Sequence, residues 1–107
     1  MIKYIEVGKS GHIYCSDCEQ GRIQKVFLKK IQKEVFVCEE CESLWFSLDG
    51  IILDKSDFFT GYLKEEGHIT TEGFDDWDSI RERRGFVKFD EVKDIVEKYG
   101  IRVVVIE

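Results

Sequence analysis

The chain has 107 residues, the size of one domain, and its 43% hydrophobic and 13% aromatic residues suit a packed core. Charged residues make up 36%, and the formal net charge is −6 with histidine neutral. No apolar run approaches the roughly 20 residues that cross a bilayer, and no basic-then-apolar signal peptide opens the chain. We therefore expect one cytoplasmic domain, residues 1–107, without membrane association. Its acidic surface should attract cationic partners and repel nucleic acid.

The first half of the chain predicts strands joined by tight turns. Residues 2–7 form a first strand, and residues 22–29 alternate imperfectly, as a partly exposed strand does. Residues 34–37 return as its hairpin partner. A further strand over residues 44–48 is stopped by Asp49-Gly50.

The second half predicts short helices and a last strand. Ser56 is a suitable N-cap for a helix over residues 57–66, with Gly67 as its stop. A second helix is predicted from Asp76 to Arg84, closed by Gly85, with its arginines balancing the helix C-terminus. A third is capped by Asp90 and ended by Gly100. The β-branched segment Ile101–Ile106 predicts a buried strand, a candidate partner for the first strand.

All four cysteines lie in two C-x2-C pairs separated by nineteen residues. Cysteines three apart can turn both sulfurs to one point, and two such turns supply the four tetrahedral ligands of a structural site. The spacing predicts one structural Zn²⁺ bound by Cys15, Cys18, Cys38 and Cys41. A site closed by four thiolates has no open position for water, so the ion would stabilise the fold without catalysing a reaction.

Three other interpretations of these residues stay open. Disulfides are rare in a reducing cytosol. Iron suits the same four sulfurs, although rubredoxin-like turns usually carry glycine after the second cysteine, where this chain has Glu19 and Glu42. His12, three residues before Cys15, could replace a thiolate. Because four thiolates complete the site, we interpret His12 as a surface residue, or as a residue that contacts one of the metal ligands without binding the metal itself.

The run Gly11–Cys18, the lysine-rich hairpin and the run Val37–Trp45 together resemble a group of small bacterial zinc-ribbon proteins. Some of these resemble immunity proteins, the antidotes encoded beside toxins in contact-dependent inhibition systems. The resemblance covers about residues 1–50. With the acidic charge, it implies a protein that binds and neutralises a cognate basic toxin such as a nuclease. We expect an α+β fold, with a zinc ribbon at about 12–49 and a helical and strand portion at about 50–107.

The predicted hairpin carries basic side chains among aromatic ones: Arg22, Lys25, Phe27, Lys29, Lys30, Lys33 and Phe36. Such a pattern can contact a nucleic-acid backbone, which gives the alternative function of a transcription or RNA-processing ribbon. We favour a solvated hairpin whose aromatic face turns into the core, because the whole chain is acidic.

An acidic segment with aromatic residues is the candidate partner surface: Glu72, Asp75, Asp76, Trp77 and Asp78. Its carboxylates could replace phosphates in a basic cleft, with Trp77 as a buried anchor. The simpler interpretation is that Phe74 and Trp77 pack inside while the aspartates begin a helix.

Catalytic patterns are absent from the sequence. His68 is isolated, no nucleophile has a positioned base, and no glycine-rich phosphate loop follows a strand. We therefore predict a protein that is not an enzyme and acts by binding.

Overall fold

The computed structural model describes residues 1–67 and 77–106, which combine helices and strands as the α+β prediction requires. In chain order the elements are β1 (Tyr4–Val7), β2 (Ile23–Leu28), β3 (Lys33–Cys38), β4 (Ser43–Trp45), α1 (Leu48–Ile52), β5 (Asp57–Phe58), α2 (Phe59–Glu65), α3 (Trp77–Ile80), β6 (Arg81–Phe86), α4 (Phe89–Tyr99) and β7 (Arg102–Val105). None of these helices has the length and apolar character needed to cross a bilayer.

Five strands form the main sheet in the order β5-β4-β3-β2-β6, with every neighbouring pair antiparallel. The predicted hairpin is its centre, and Ile23 of β2 lies opposite Cys38 of β3. This register places the open end of the hairpin next to both cysteine pairs. Strands β5 and β6 come from the second half of the chain, so the ribbon and the later segments share one sheet.

Apolar residues cover both faces of this sheet. On one face Ile23, Phe36 and Trp45 belong to a buried cluster that includes residues of β1, α1 and α4. On the other face the side chains of β2 and β3 pack against Phe59 and Leu63 of α2. Each core is small, and the first one includes Cys15 and Cys38. The candidate metal centre is therefore part of the core.

Strands β1 and β7 form a separate parallel pair, with Tyr4 opposite Arg102 and Val7 opposite Val105. The predicted pairing of the two ends of the chain is confirmed. The prediction that the last strand is buried is wrong, because Arg102, Val103 and Val105 are exposed. β-Branched residues favour a strand, but burial depends on what covers it.

The helix predicted over residues 57–66 begins later than expected. Asp57 and Phe58 form β5 by pairing with Leu44 and Ser43, and α2 starts at Phe59 without a side-chain cap. Ser56 therefore does not cap this helix, because pairing with the edge of β4 takes the residues of its predicted first turn. Gly67 follows the helix end with φ of 74°, as a C-terminal stop requires.

The helix predicted from Asp76 to Arg84 is wrong over most of its length. Only Trp77–Ile80 is helical in the described part, and Arg81–Phe86 forms β6 against β2. The open edge of β2 offers ladder hydrogen bonds that outweigh local helix propensity. The arginines therefore lie on an edge strand and do not balance a helix terminus.

The segment after β4 contains a helix that the sequence analysis missed. The strand ends at Trp45, and Ser47 caps α1 by accepting the Gly50 amide at 2.9 Å. Ser47 followed by an acidic first turn is the signal that could have found it. Helix α4 ends at Gly100 as predicted, but its N-cap residue is Lys88 and not the predicted Asp90. The Lys88 amide donates to the Glu91 carboxylate.

Candidate metal centre

Both cysteine pairs form tight turns whose backbone amides point at sulfur. The Asp17 amide donates to Cys15 Sγ at 3.3 Å in the first turn. In the second, the Glu40 and Cys41 amides donate to Cys38 Sγ at 3.4 and 3.5 Å. Amides aimed at a sulfur stabilise its thiolate, the form that binds metal.

The residue after each turn has a left-handed backbone. Glu19 has φ of 60° and Glu42 has φ of 61°. Left-handed backbone favours glycine and costs roughly 1 kcal/mol for other residues. Glutamate therefore takes the left-handed backbone that glycine would favour at these two positions.

The four sulfurs converge on one point. Cys15 Sγ lies 3.6 Å from Cys41 Sγ, and Cys18 Sγ lies 3.6 Å from Cys38 Sγ. All four sulfurs lie within 4.8 Å of one another, and no two are bonded as a disulfide. A regular tetrahedron with metal–sulfur bonds of about 2.3 Å has edges of about 3.8 Å. The predicted convergence is confirmed, and the donor set can hold one metal ion such as Zn²⁺.

Burial divides the four thiols into two kinds. Cys15 and Cys38 are buried, whereas Cys18 and Cys41 are half-buried. Burial raises the pKa of Cys15 and raises that of Cys38 to about 11. Burial also opposes ionisation of Cys18, but amides of Gln20 and Gly21 lower its pKa to about 7. A dication would offset the cost of ionising the buried pair, because its charge favours thiolate.

Two contacts outside the sulfurs join each turn to a neighbouring strand. Glu39 accepts the Arg22 amide at 2.8 Å and pairs with the Arg22 guanidinium at 2.6 Å. The Ser43 hydroxyl donates to Asp17 at 2.6 Å and lies 3.1 Å from Cys41 Sγ. The first contact joins the second turn to the start of β2, and the other joins the first turn to the start of β4. The protein therefore helps to position both turns.

Gly21 is required by a close approach in this region. A Cβ atom placed there would lie 2.5 Å from Cys38 Sγ. The chain leaving the first turn thus passes directly beside a sulfur of the second.

His12 lies outside the sulfur cluster. Its Nε2 atom is 3.1 Å from the Tyr14 hydroxyl, and the group of four candidate ligands does not include it. Burial, followed by the nearby charges of Arg22 and Lys88, lowers the pKa of His12. The interpretation of His12 as a residue other than a ligand agrees with this geometry.

Exposed carboxylates surround the cysteine turns. We call Asp17, Glu19, Glu40 and Glu42 the acidic turn face, since each is exposed and belongs to a turn or the residue after it. Within residues 1–67 and 77–106, none of the four forms an ion pair with lysine or arginine. The glutamates beside the cysteines are visible in the sequence. The structure adds that these four carboxylates are exposed and take part in none of the described ion pairs.

The predicted partner segment lies mostly outside the described residues, including Glu72, Asp75 and Asp76. Trp77 is 37% exposed, and the Arg81 guanidinium lies 5.1 Å from its ring centre. Asp78 is exposed, and its carbonyl accepts Lys29. The simpler interpretation, in which Trp77 packs inside, is therefore wrong for Trp77, while His68 and Phe74 also lie outside the described residues.

The basic side chains of the hairpin are largely engaged within the protein. Lys25 pairs with Glu91 at 2.5 Å, and Lys30 donates to the carbonyls of Glu66 and Gly67. Phe36 is buried as expected, but Phe27 lies under the Arg84 guanidinium. These contacts favour the solvated hairpin over a nucleic-acid surface.

Strand β6 adds a basic edge beside that hairpin. It carries Arg81, Arg83 and Arg84. The groove beside Arg81 and Arg83 is also lined by Lys29, Asp78 and Glu82. Burial and then repulsion from Arg83 lower the pKa of Arg81. These arginines were predicted to lie at the end of a helix, so this basic edge was not expected from the sequence.

Comparison with known proteins finds no matching family model, no matching curated protein and no matching solved structure.

Proposed function

We propose that this chain is a zinc-stabilised protein-binding module that acts as an immunity protein, neutralising a cognate basic toxin in the cytoplasm. The observation that carries the proposal is the acidic turn face, which combines exposed carboxylates with a candidate metal centre that packs into the first core. The resemblance of residues 1–50 to small bacterial zinc-ribbon proteins, some of which resemble immunity proteins, also supports it.

Charge gives the acidic turn face its preference for cationic partners. Four thiolates around one dication carry a formal charge of −2, which would take the chain from −6 to about −8. The carboxylates of the acidic turn face add to this negative electrostatic field, because none of them takes part in a described ion pair with lysine or arginine. Such a surface would raise the association rate with a basic protein and position carboxylates against its cationic cleft.

Co-expression tests the function directly. A toxin domain encoded next to this gene should stop growth alone and permit growth when this protein is present. Growth arrest in both cases would refute the immunity proposal.

Charge reversal tests the surface. The variant Glu40→Lys/Glu42→Lys should slow association with that toxin about tenfold or more at low salt. The matched control is Asp94→Lys/Glu97→Lys, which makes the same charge change on exposed positions of α4. Equal association rates for the two variants would assign binding to another surface, and the variant Trp77→Ala/Asp78→Lys then tests the segment predicted from the sequence.

A nucleic-acid function is the second candidate, and the arginines of β6 are the observation that favours it. Arg81 and Arg83 have no carboxylate within ion-pair distance among the described residues, and Arg84 stacks on Phe27. This function predicts salt-sensitive binding of single-stranded RNA or DNA. Binding should be lost when Lys25, Lys29, Lys30 and Lys33 become alanine, or in Arg81→Ala/Arg83→Ala. No gel retardation at low salt would exclude it.

A further inference from the structure

The outer edge of β7 lacks a partner strand in the part of the chain that the structure describes. The small sheet has the order β1-β7, and only β1 pairs with β7. The other side of β1 is partly occupied, since the Tyr14 amide donates to Glu6 at 3.0 Å and Val7 bridges Ile13. Parallel pairs are rarely stable with so few strands, so an additional strand would complete this sheet.

Backbone groups on that edge have no strand partner among the described residues. The Ile106 amide donates to the Val7 carbonyl at 2.8 Å, so the amides and carbonyls of Val104 and Ile106 point at β1. Because these groups alternate along a strand, those of Val103 and Val105 point away from β1.

The apolar face of β1 continues onto β7, where its side chains are exposed to solvent. Ile5 is 2% exposed and Val7 is 7% exposed, whereas their partners Val103 and Val105 are 40% and 71% exposed. Paired residues lie on the same side of a sheet, so all four side chains form one apolar surface. The valines would be buried by a further strand that brings its own apolar residues to that side.

The edge of β7 differs from the outer edges of the main sheet. Strand β6 carries three arginines and a glutamate, and its pairing with β2 shifts register. Strand β5 has only two residues. Charges, irregular pairing and short length all prevent edge-to-edge association. Strand β7 has one charge, Arg102, followed by three valines, and nothing within residues 1–67 and 77–106 gives it comparable protection.

We propose that this edge is a self-association surface, on which two copies of the chain pair their β7 strands antiparallel about a two-fold axis at Val104. The pair would join β1 and β7 of each copy into a four-stranded sheet.

Geometry restricts the register of this pair. A two-fold axis perpendicular to the sheet keeps the apolar face of both copies on one side, so opposing residue numbers must be both odd or both even. Val103 then lies opposite Val105 of the second copy, and their outward amides and carbonyls make four hydrogen bonds. Val104 lies opposite itself, and Arg102 faces an isoleucine instead of another arginine.

Interface area limits the strength of the association. A stable interface usually buries about 800 Å² on each partner, which is more than a four-residue edge supplies. We therefore expect a dimer that forms only as concentration rises.

Sedimentation velocity over a concentration series tests the proposal. The wild-type chain should shift from 12.6 kDa towards twice that mass, and Val105→Lys should remain monomeric. The matched control Ile31→Lys changes another exposed apolar residue, 43% exposed and far from β7 in sequence, and should associate like the wild type. A wild type that stays monomeric throughout, or a dimer unaffected by Val105→Lys, would overturn the proposal.

A cross-linking experiment tests the register without destabilising the edge. Opposing residues of a pair without mutual hydrogen bonds have Cα atoms about 4.5 Å apart, within disulfide range. Val104→Cys should therefore form a covalent dimer in oxidised glutathione, whereas Val103→Cys places its two copies too far apart. Equal cross-linking of both variants and the wild type would contradict the register.

Discussion

Gly21 lies where the chain leaves the first cysteine turn, directly beside Cys38. Because a Cβ atom there would lie 2.5 Å from Cys38 Sγ, we expect Gly21→Ala to displace that sulfur and weaken metal affinity at least tenfold. The measurement is competition for zinc with a chromophoric chelator. Gly61→Ala is the control, because its added Cβ meets only the exposed ring of Phe58 at 3.2 Å. Unchanged affinity in Gly21→Ala would mean that the turns adjust more freely than the geometry indicates.

Glu42 and Glu40 differ in backbone conformation although they flank the same cysteine. Glu42 has φ of 61°, and Glu40 has no positive φ. Glycine relieves left-handed strain but adds entropy to the unfolded chain. We expect Glu42→Gly to be neutral or up to about 1 kcal/mol stabilising, and Glu40→Gly to be about 1 kcal/mol destabilising. Urea unfolding of the zinc-loaded proteins compares them, and the reverse order would contradict the strain argument.

The ion pair between Arg22 and Glu39 connects the start of β2 to the second cysteine turn. The hydrogen bond from Arg22 lowers the pKa of Glu39 below its ordinary value of 4.5. A lowered folded-state pKa stabilises the fold above the unfolded-state pKa, and this contribution is lost as pH falls through the folded value. We expect Glu39→Gln to be less stable than the wild type at pH 7, with the difference shrinking below about pH 4.5.

Unfolding curves of the wild type and Glu39→Gln, recorded at the same pH values, give the difference in their free energies of unfolding. Taking this difference cancels effects that both proteins share, such as metal release at low pH. The control Glu97→Gln removes an exposed carboxylate of α4 that forms no described ion pair. A difference for Glu39→Gln that does not change with pH would exclude the ion pair as its source.

Among the secondary-structure elements, the sequence predicted those features that depend on a few neighbouring residues. The cysteine spacing, the β2–β3 hairpin and the Gly100 stop of α4 were found, because turns and caps are set by a few neighbouring residues. Segments decided by distant pairing were not found. Asp57–Phe58 and Arg81–Phe86 became strands because β4 and β2 had open edges, and no pattern within those segments shows which edge will be available.

Over the whole molecule, the metal centre and the first core are one unit, since Cys15 and Cys38 pack in the same cluster as Trp45. Removal of the metal should therefore loosen that core, because an ion of this kind contributes on the order of 10 kcal/mol to folding. In Trp77→Phe, the fully buried Trp45 is the remaining tryptophan. We expect its fluorescence to shift to the red on chelation and to recover when zinc is restored. An unchanged spectrum after complete metal removal would show that the core does not depend on the ion.

The acidic charge was predicted from composition, but its arrangement on the surface could not be. Composition gives the net charge of −6, and the sequence places carboxylates beside the cysteines. Only the fold shows that those carboxylates are exposed and that the arginines lie along β6. The partner segment proposed from the sequence extends beyond the described residues and stays a prediction.

The central claim is that four cysteine sulfurs bind one zinc ion. Elemental analysis of purified, tag-free protein, combined with X-ray absorption at the zinc edge, tests it most directly. We predict one zinc per chain, surrounded by four sulfurs at about 2.3 Å. A protein that folds without stoichiometric metal, or a zinc with nitrogen or oxygen in its first coordination sphere, would contradict the claim.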